Sequence, residues 1–279
     1  KDQWPDFFLE TLNSKIRFIG KIIIFPLFII TKKIFRNSTG LTAMSEPFLK
    51  WGVNFSKKKN NYSNLVVPLT TPIIQLEKEE YEKARIWWKK NGIDLEDTNN
   101  IIFIGSHYPS LDFNPVIQAA KILKNKNIKC NIILCGFGDQ TFSLKTQAQN
   151  LDNIYFPGWV NREQISVLAL FSLAALAPFK NINNYIFNIP NKIIDSLALG
   201  LPILSPLKGE VSNMISKHNV GLTYRENSGE SLSDCIIKLI NNKMLAEKLS
   251  INSRRLYEEK YSYDLVYGRL VSHLESLKK

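Results

Sequence analysis

Cysteine is scarce in this chain: Cys130, Cys135 and Cys235 are the three thiols among 279 residues. They cannot all pair, and no C-x-x-C or Cys/His spacing joins them. This excludes a disulfide-stapled scaffold, argues against structural zinc and favours a reducing compartment. Histidine is equally rare, with His107, His218 and His273 standing apart from any carboxylate or thiol cluster. No metal or cofactor is therefore expected. Acidic residues are missing altogether between Glu10 and Glu46. A bilayer-spanning run is missing too: the apolar stretch Ile22 to Ile30 is interrupted by Pro26 and falls well short of the ~20 residues a transmembrane helix needs. Internal repeats, zinc fingers and RNA-recognition motifs are absent, so nucleic acid is not expected as a partner.

What is present is an ordinary folded composition, with 44% hydrophobic and 22% charged residues. The length suits roughly two domains at about 150 residues each. A net charge of +11 points to an anionic partner. Part of that charge is concentrated in residues 15–36, where Lys15, Arg17, Lys21, Lys32, Lys33 and Arg36 bracket the apolar run. Cations flanking an aliphatic and aromatic centre fit a segment lying in the headgroup region of an anionic membrane surface. A core-facing helix with solvated basic ends accounts for the same pattern.

From Ile101 onward short apolar runs alternate with helical patterns: IIFIGS (101–106), NIILCG (131–136), NIYFPGW (153–159), LAALAPF (173–179), PILSP (202–206) and VGLTYR (220–225). This alternation predicts βαβ units and a doubly wound, parallel α/β sheet whose ligands lie beyond the carboxyl ends of the strands. Helical patterns also cover residues 76–90, with Trp87 and Trp88 as packing residues, and fill the tail over 231–240, 243–259 and 263–277. Three units are expected: 1–72, ending in a linker near Pro68 to Pro72; 73–258, the complete Rossmann-like unit; and 259–279, a C-terminal helix crossing back toward the first.

The stretch NIPNKIIDSLALGLPIL (188–204) carries the most chemistry. Asn188 is a suitable N-cap, Pro190 suits the first turn, and Gly200 with Pro202 stops the helix. Lys192 in that first turn opposes the helix macrodipole. A phosphate at the helix N-terminus removes the conflict, because ammonium and backbone N–H groups then meet the same anion. Asp195, three residues on, is placed to accept from sugar or ribose hydroxyls, while a surface Lys192–Asp195 pair satisfies the same spacing. Gly136 and Gly138 in CGFGDQ, Gly158 in FPGWV, and Gly209 with Glu210 in LKGEV mark further turns at strand ends, where backbone approaches a ligand closely.

In order, FIGS, ILCGFGDQ, IYFPGWV, NIPNKIIDSLALGLPIL, KGEV and NVGL resemble the donor half of family 4 glycosyltransferases of the GT-B fold, above all the Pro-x-Lys branch that builds bacterial surface polysaccharides. DQWPDFF (2–8), GLTAMSEPFLKW and VVPLTTP resemble the end of that family's acceptor domain and its linker. The resemblance implies a GT-B chain lacking the first part of its acceptor domain. It also implies a retaining transferase that moves a sugar from a nucleotide-diphosphate donor, UDP by preference, to a lipid-linked or glycan acceptor without a metal, at the inner face of the cytoplasmic membrane. It implies Lys192 and Glu210 as catalytic residues and Asp195 as the ribose-binding carboxylate. Gly105, Ser106, His107, Gly136, Gly138, Gly158, Trp159, Val160, Asn188, Pro190, Asn191 and Gly209 are implied as the rest of the donor site. Two departures stand out: Phe187 replaces a Glu, and the basic pair usual after FIGS is absent, with His107 and Tyr108 in its place. A non-catalytic or partner-dependent half, and less directly a nucleotide-sugar epimerase, are the rival readings.

Overall fold

The computed structural model describes residues 4–13, 15–57, 63–96 and 99–278. Asp2 and Gln3 of the DQWPDFF segment, and residues 58–62 of the polar stretch before the linker, lie outside the described residues. The first part runs α1 (Asp6–Thr11), α2 (Arg17–Ile23), α3 (Phe25–Asn37), β1 (Thr42–Ala43), α4 (Glu46–Ser56) and β2 (Leu65–Val66). The pair β1 and β2 is parallel, with Thr42 opposite Leu65. The helix α4 starts where Ser45 caps it, accepting from Phe48 N–H at 3.3 Å, with proline in the first turn. Along α2 and α3 the apolar run faces outward: Phe18 is 74% and Ile23 71% exposed. The structure thus departs from the core-facing alternative.

After the linker come α5 (Lys78–Lys90), β3 (Asn99–Ile104), α6 (Asn114–Asn125), β4 (Cys130–Cys135), α7 (Thr141–Gln147), β5 (Ile154–Gly158), α8 (Arg162–Leu170), β6 (Ser172–Leu176), α9 (Asn183–Ile186), α10 (Asn191–Ala198), β7 (Ile203–Ser205), α11 (Glu210–His218) and β8 (Gly221–Thr223). The chain closes with α12 (Gly229–Asn241), α13 (Lys243–Lys260) and α14 (Tyr263–Ser276). Six parallel strands lie in the order β5-β4-β3-β6-β7-β8. The predicted doubly wound parallel sheet is what the structure contains. Starting at β3, the chain steps outward to β4 and β5, then crosses back to β6 and continues outward the other way. The strand order therefore reverses between β3 and β6, and a crevice opens at such a reversal beyond the carboxyl ends.

Strand alternation divides β3 between two cores. Ile101 and Phe103 pack with Val116, Ala119 and Leu123 of α6, while Ile102 packs with Ala84 and Trp88 of α5 and Val167 of α8. Trp88 is fully buried and donates its indole N–H to Gln164 O at 3.0 Å, which joins α5 to α8. Both tryptophans belong to this packing, as expected.

The loops at the carboxyl edge are stapled to one another. Gly105 N–H donates to Cys135 O at 3.0 Å, Gly136 N–H to Gly158 O at 2.7 Å, and His107 N–H to Phe137 O at 3.1 Å. A Cβ on Gly136 would stand 2.1 Å from Gly105 O, and one on Gly138 2.6 Å from His107 N. These two glycines let loop approach loop, a role different from the ligand approach anticipated for them. His107 also departs from expectation: it is fully buried, its ring packed against Phe103 and Phe113 at centroid distances of 5.7 and 5.3 Å. Its Nδ1 lies 2.8 Å from Thr141 Oγ1, which accepts from Gly138 N–H at 2.9 Å. His107 Nε2 has no partner among the described residues. A ring held this way braces the loop from inside.

Burial, helped by Lys192 and Lys145, lowers the His107 pKa from 6.5 to about 4. Between those values the unfolded chain takes up a proton that the folded chain refuses, so stability rises with pH across that window. Acidification from pH 6.5 to 4 is expected to remove at most about 3 kcal/mol through this residue. An NMR titration of the His107 ring that gives a midpoint near 6.5 contradicts this placement; a midpoint below 5 agrees with it.

Candidate functional site

The site is built on α10. Its N-cap is Pro190, with extended backbone (φ −61°, ψ 151°), and not Asn188 as the residue types suggested. Proline favours extended backbone in the residue before it, and Ile189 follows that preference here, whereas Phe25, Glu46 and Asn114 are helical before proline at the starts of α3, α4 and α6. Asn188 is instead buried, with its Oδ1 unpartnered among the described residues. From Pro190 the helix buries Ile193, Ile194 and Leu197, which leaves Lys192 and Asp195 on the face toward the sheet reversal.

Lys192 reaches across to β3. Its Nζ donates to Ile104 O at 2.8 Å and stands 4.8 Å from the centre of the Phe103 ring. Gly105 (φ +137°) makes this possible, since a Cβ there would lie 1.7 Å from Nζ. Burial lowers the Lys192 pKa, and Asp195 opposes that shift. No ion pair within 4 Å joins the two among the described residues, so the surface-pair alternative does not describe this lysine. Asp195 is open to solvent but enclosed by cleft walls. Those walls raise its pKa, against lowering by Lys192 and by a hydrogen bond from Thr71.

Both side chains line a cavity of about 710 Å³. Its floor is Ile102 and Ile104 of β3 with Ala175 and Leu176 of β6, at the strand-order reversal. One wall is α8 with Arg162, Ile165 and Ser166; the other is α10. The linker residues Thr71 to Ile74 and Leu76 close it, with Tyr81 of α5. The linker is itself fixed: the Tyr257 hydroxyl donates to Thr71 O, and the Thr70 hydroxyl donates to Tyr261 O. Further contacts bridge the first part of the chain to the rest, with Ser45 Oγ donating to Phe187 O at 2.7 Å and His273 Nε2 lying 3.2 Å from Ser63 O.

The anticipated site residues separate into groups. Lys192, Asp195 and Gly105 come together at the cavity, with Ser106 half-buried in the next loop position. Asn191 is exposed at the start of α10 and Pro190 buried beneath it. Gly158 ends β5, Trp159 after it is 75% exposed, and Val160 packs against the core shared by α5 and α8. Gly209 brings α11 against Ile186 O. Glu210, in the first turn of α11, is not part of the cavity wall; it lies close enough to Tyr261 to help burial raise that phenol to about 12. The structure therefore does not bring Glu210 and Lys192 together in this cavity. Thr71, Arg162, Ser166 and Lys78 line it and were not foreseen. The two cations were findable, since each opens a helix as Lys192 nearly does.

The profile of the family described as "Glycosyl transferases group 1" matches residues 85–256, more than half of the chain. The capsular polysaccharide biosynthesis glycosyltransferase CapM of Staphylococcus aureus is 21% identical over 260 residues, which cover 91% of this chain and 66% of CapM. Among solved structures, HepE from Anabaena in complex with UDP and glucose superposes with a TM-score of 0.70 at 12% identity, covering 89% of this chain and 66% of HepE. WaaG, a glycosyltransferase involved in lipopolysaccharide biosynthesis, gives a TM-score of 0.62 at 17% identity, with 82% of this chain and 61% of WaaG covered. The chain thus spans about two thirds or less of the length of these proteins. With this match and a parallel sheet that reverses at a cavity, the chain belongs to the group 1 glycosyltransferases and shares the fold of the GT-B enzymes.

Proposed function

We propose that the cavity holds the nucleotide-diphosphate part of a sugar donor, UDP in preference, and that the complete protein transfers the sugar with retention to a lipid-linked or polysaccharide acceptor in cell-surface glycan synthesis. The observation that carries this reading is Lys192: a largely enclosed ammonium, free of any ion pair among the described residues, fixed by the Ile104 carbonyl at the strand-order reversal. One of its three N–H groups is used by that carbonyl, and two remain for phosphate oxygens. CapM's part in capsule synthesis, WaaG's in lipopolysaccharide and the UDP held by HepE support the donor and the acceptor class.

The chemistry follows from charge. When the bond from the anomeric carbon to phosphate oxygen breaks, the electron pair stays on the diphosphate and positive charge grows on the sugar carbon. Lys192 and the first-turn N–H groups of α10 stabilise the departing anion without reorganising. Retention without a protein nucleophile follows if that phosphate oxygen takes the acceptor's proton on the same face. Asp195 accepts from the ribose hydroxyls, exchanging Thr71 for them. Glu210, which does not line the cavity, has no step in this scheme. An epimerase needs a titratable acid/base pair in the cleft, and His107, buried in an aromatic box, does not supply one.

The outward apolar face of α2 and α3, rimmed by Lys15, Arg17, Lys21, Lys33 and Arg36, fits the headgroup layer of an anionic membrane. No described helix is long and apolar enough to cross it. Docking there, at the cytoplasmic side, brings the cavity near a lipid-linked acceptor.

Replacing Lys192 by Ala is expected to lower turnover of the complete enzyme by about 10²–10³ while the fold stays intact by circular dichroism. Wild-type turnover in that variant contradicts the leaving-group role. Flotation with phosphatidylglycerol vesicles is expected at low salt, lost at high salt and lost when Lys15, Arg17 and Lys21 become Gln. Absence of binding at low salt, or binding indifferent to the triple substitution, contradicts the membrane reading.

A further inference from the structure

Acidic residues are sparse on two neighbouring helices. The chain has none between Glu210 and Glu226, and in α13 Glu247 is the one carboxylate before Glu258. The last turn of α11 and one face of α13 meet at a second cavity of about 400 Å³, lined by Lys217, Lys248, Asn252, Arg255 and Glu259 with the Asn219 turn. Because α11 runs back from the end of β7 to the start of the parallel strand β8, this cavity lies at the amino edge of the sheet. The Lys192 cavity lies at the other edge.

The frame of the second cavity is fixed. Asn252 is buried; its Nδ2 donates to Asn219 O at 3.0 Å, and its Oδ1 accepts from the Arg255 guanidinium. Beside it Ser253 Oγ donates to Val220 O at 3.3 Å, so α13 is stapled to the turn between α11 and β8. Arg255 is thus oriented by a buried amide and not by a carboxylate. The remaining N–H donors of its fork are left for an acceptor in the cavity.

Lys217 and His218 in the last turn of α11, and Lys260 in that of α13, complement the helix dipoles. Lys248 and Arg255 stand within the body of α13, where that explanation does not reach. No carboxylate lies within 4 Å of Lys217, Lys248, Arg255 or Lys260 among the described residues. Glu259 is the one acid of the lining; Glu247 is outside it, and Glu258 stands 3.9 Å from Arg254. The wall therefore sets three cations against one carboxylate, and Lys260 adds to them from 3.5 Å beyond His218 Nε2. Burial, Lys260 and Lys217 lower the His218 pKa against the opposing pull of Glu259, so the imidazole registers the positive field.

We propose that this cavity binds a phosphate monoester, gripped by the Arg255 fork and flanked by Lys248 and Lys217. A tetrahedral dianion offers oxygens to the fork and to ammonium groups on either side at once, whereas a carboxylate offers both of its oxygens in one plane. A soluble phosphorylated metabolite and a phospholipid headgroup present the same group. The residues involved are separate from the donor cavity, and the inference does not depend on the reading of that cavity.

The test is an NMR titration of the His218 ring in the full chain with and without glycerol 3-phosphate, its signal being the one lost in His218→Gln. Wild type, Arg255→Gln, Lys248→Gln and Lys192→Ala are compared, each with an unchanged thermal melt. The bound dianion favours imidazolium, so the wild-type midpoint is expected to rise by about 0.5 pH unit or more, with no response to glycerol. Arg255→Gln should weaken the binding about tenfold and Lys248→Gln about two- to threefold. Lys192→Ala should leave the response intact. The source is decided by flotation of the Lys15, Arg17 and Lys21 to Gln variant with phosphatidic acid vesicles: binding lost on adding Arg255→Gln assigns the group to a lipid headgroup, and a glycerol 3-phosphate response without such flotation assigns it to a soluble ligand. A His218 ring indifferent to glycerol 3-phosphate together with no Arg255-dependent flotation overturns the proposal. So does a response unchanged in Arg255→Gln or abolished in Lys192→Ala.

Discussion

The hydrogen bond from Lys192 to the carbonyl of Ile104 is the constraint on which the site depends. It ties the first turn of α10 to the last residue of β3 across the place where the strand order reverses. Without it, an ammonium on a short helix would swing into solvent and gain little from the cleft. For the bond to form, the next residue must have no side chain, and Gly105 meets that condition. The helix must also start where it does, and the extended backbone at Pro190 fixes its first turn. The lysine's depressed pKa follows from the same enclosure, opposed by Asp195.

The surroundings make this geometry stiff on one side and adjustable on the other. Loops after β3, β4 and β5 are joined by backbone hydrogen bonds, with His107 locked behind them. The opposite wall is the linker, held by single hydrogen bonds to Tyr257 and Tyr261. A ligand whose hydroxyls take the place of Thr71 at Asp195 would therefore loosen the linker, not the sheet.

Much of this was legible in the sequence. Parallel strands are buried on both faces, so they appear as short apolar runs, and these runs located each of the six strands to within a few residues. The oddity of Lys192 was visible because a first-turn cation conflicts with local electrostatics whatever the fold. What stayed hidden depended on contacts between distant residues. The glycines of CGFGDQ look the same whether they admit a ligand or another loop, and only the facing backbone of residues 105–107 decides. His107 sits at a strand end, where residue type alone favours the rim; its burial follows from Phe103 and Phe113, ten residues apart in sequence. Thr71 belongs to a stretch without periodicity, so nothing local marks its place beside Asp195. Glu210 was assigned by resemblance, and it is not among the residues that line the cavity.

The claim that Lys192 holds the donor's diphosphate is tested most directly by a crystal structure with UDP bound. The account predicts phosphate oxygens within hydrogen-bonding distance of Lys192 Nζ and ribose hydroxyls on Asp195 in place of Thr71. UDP bound away from the β3–β6 reversal, or seated there with no phosphate oxygen in reach of that ammonium, would contradict it.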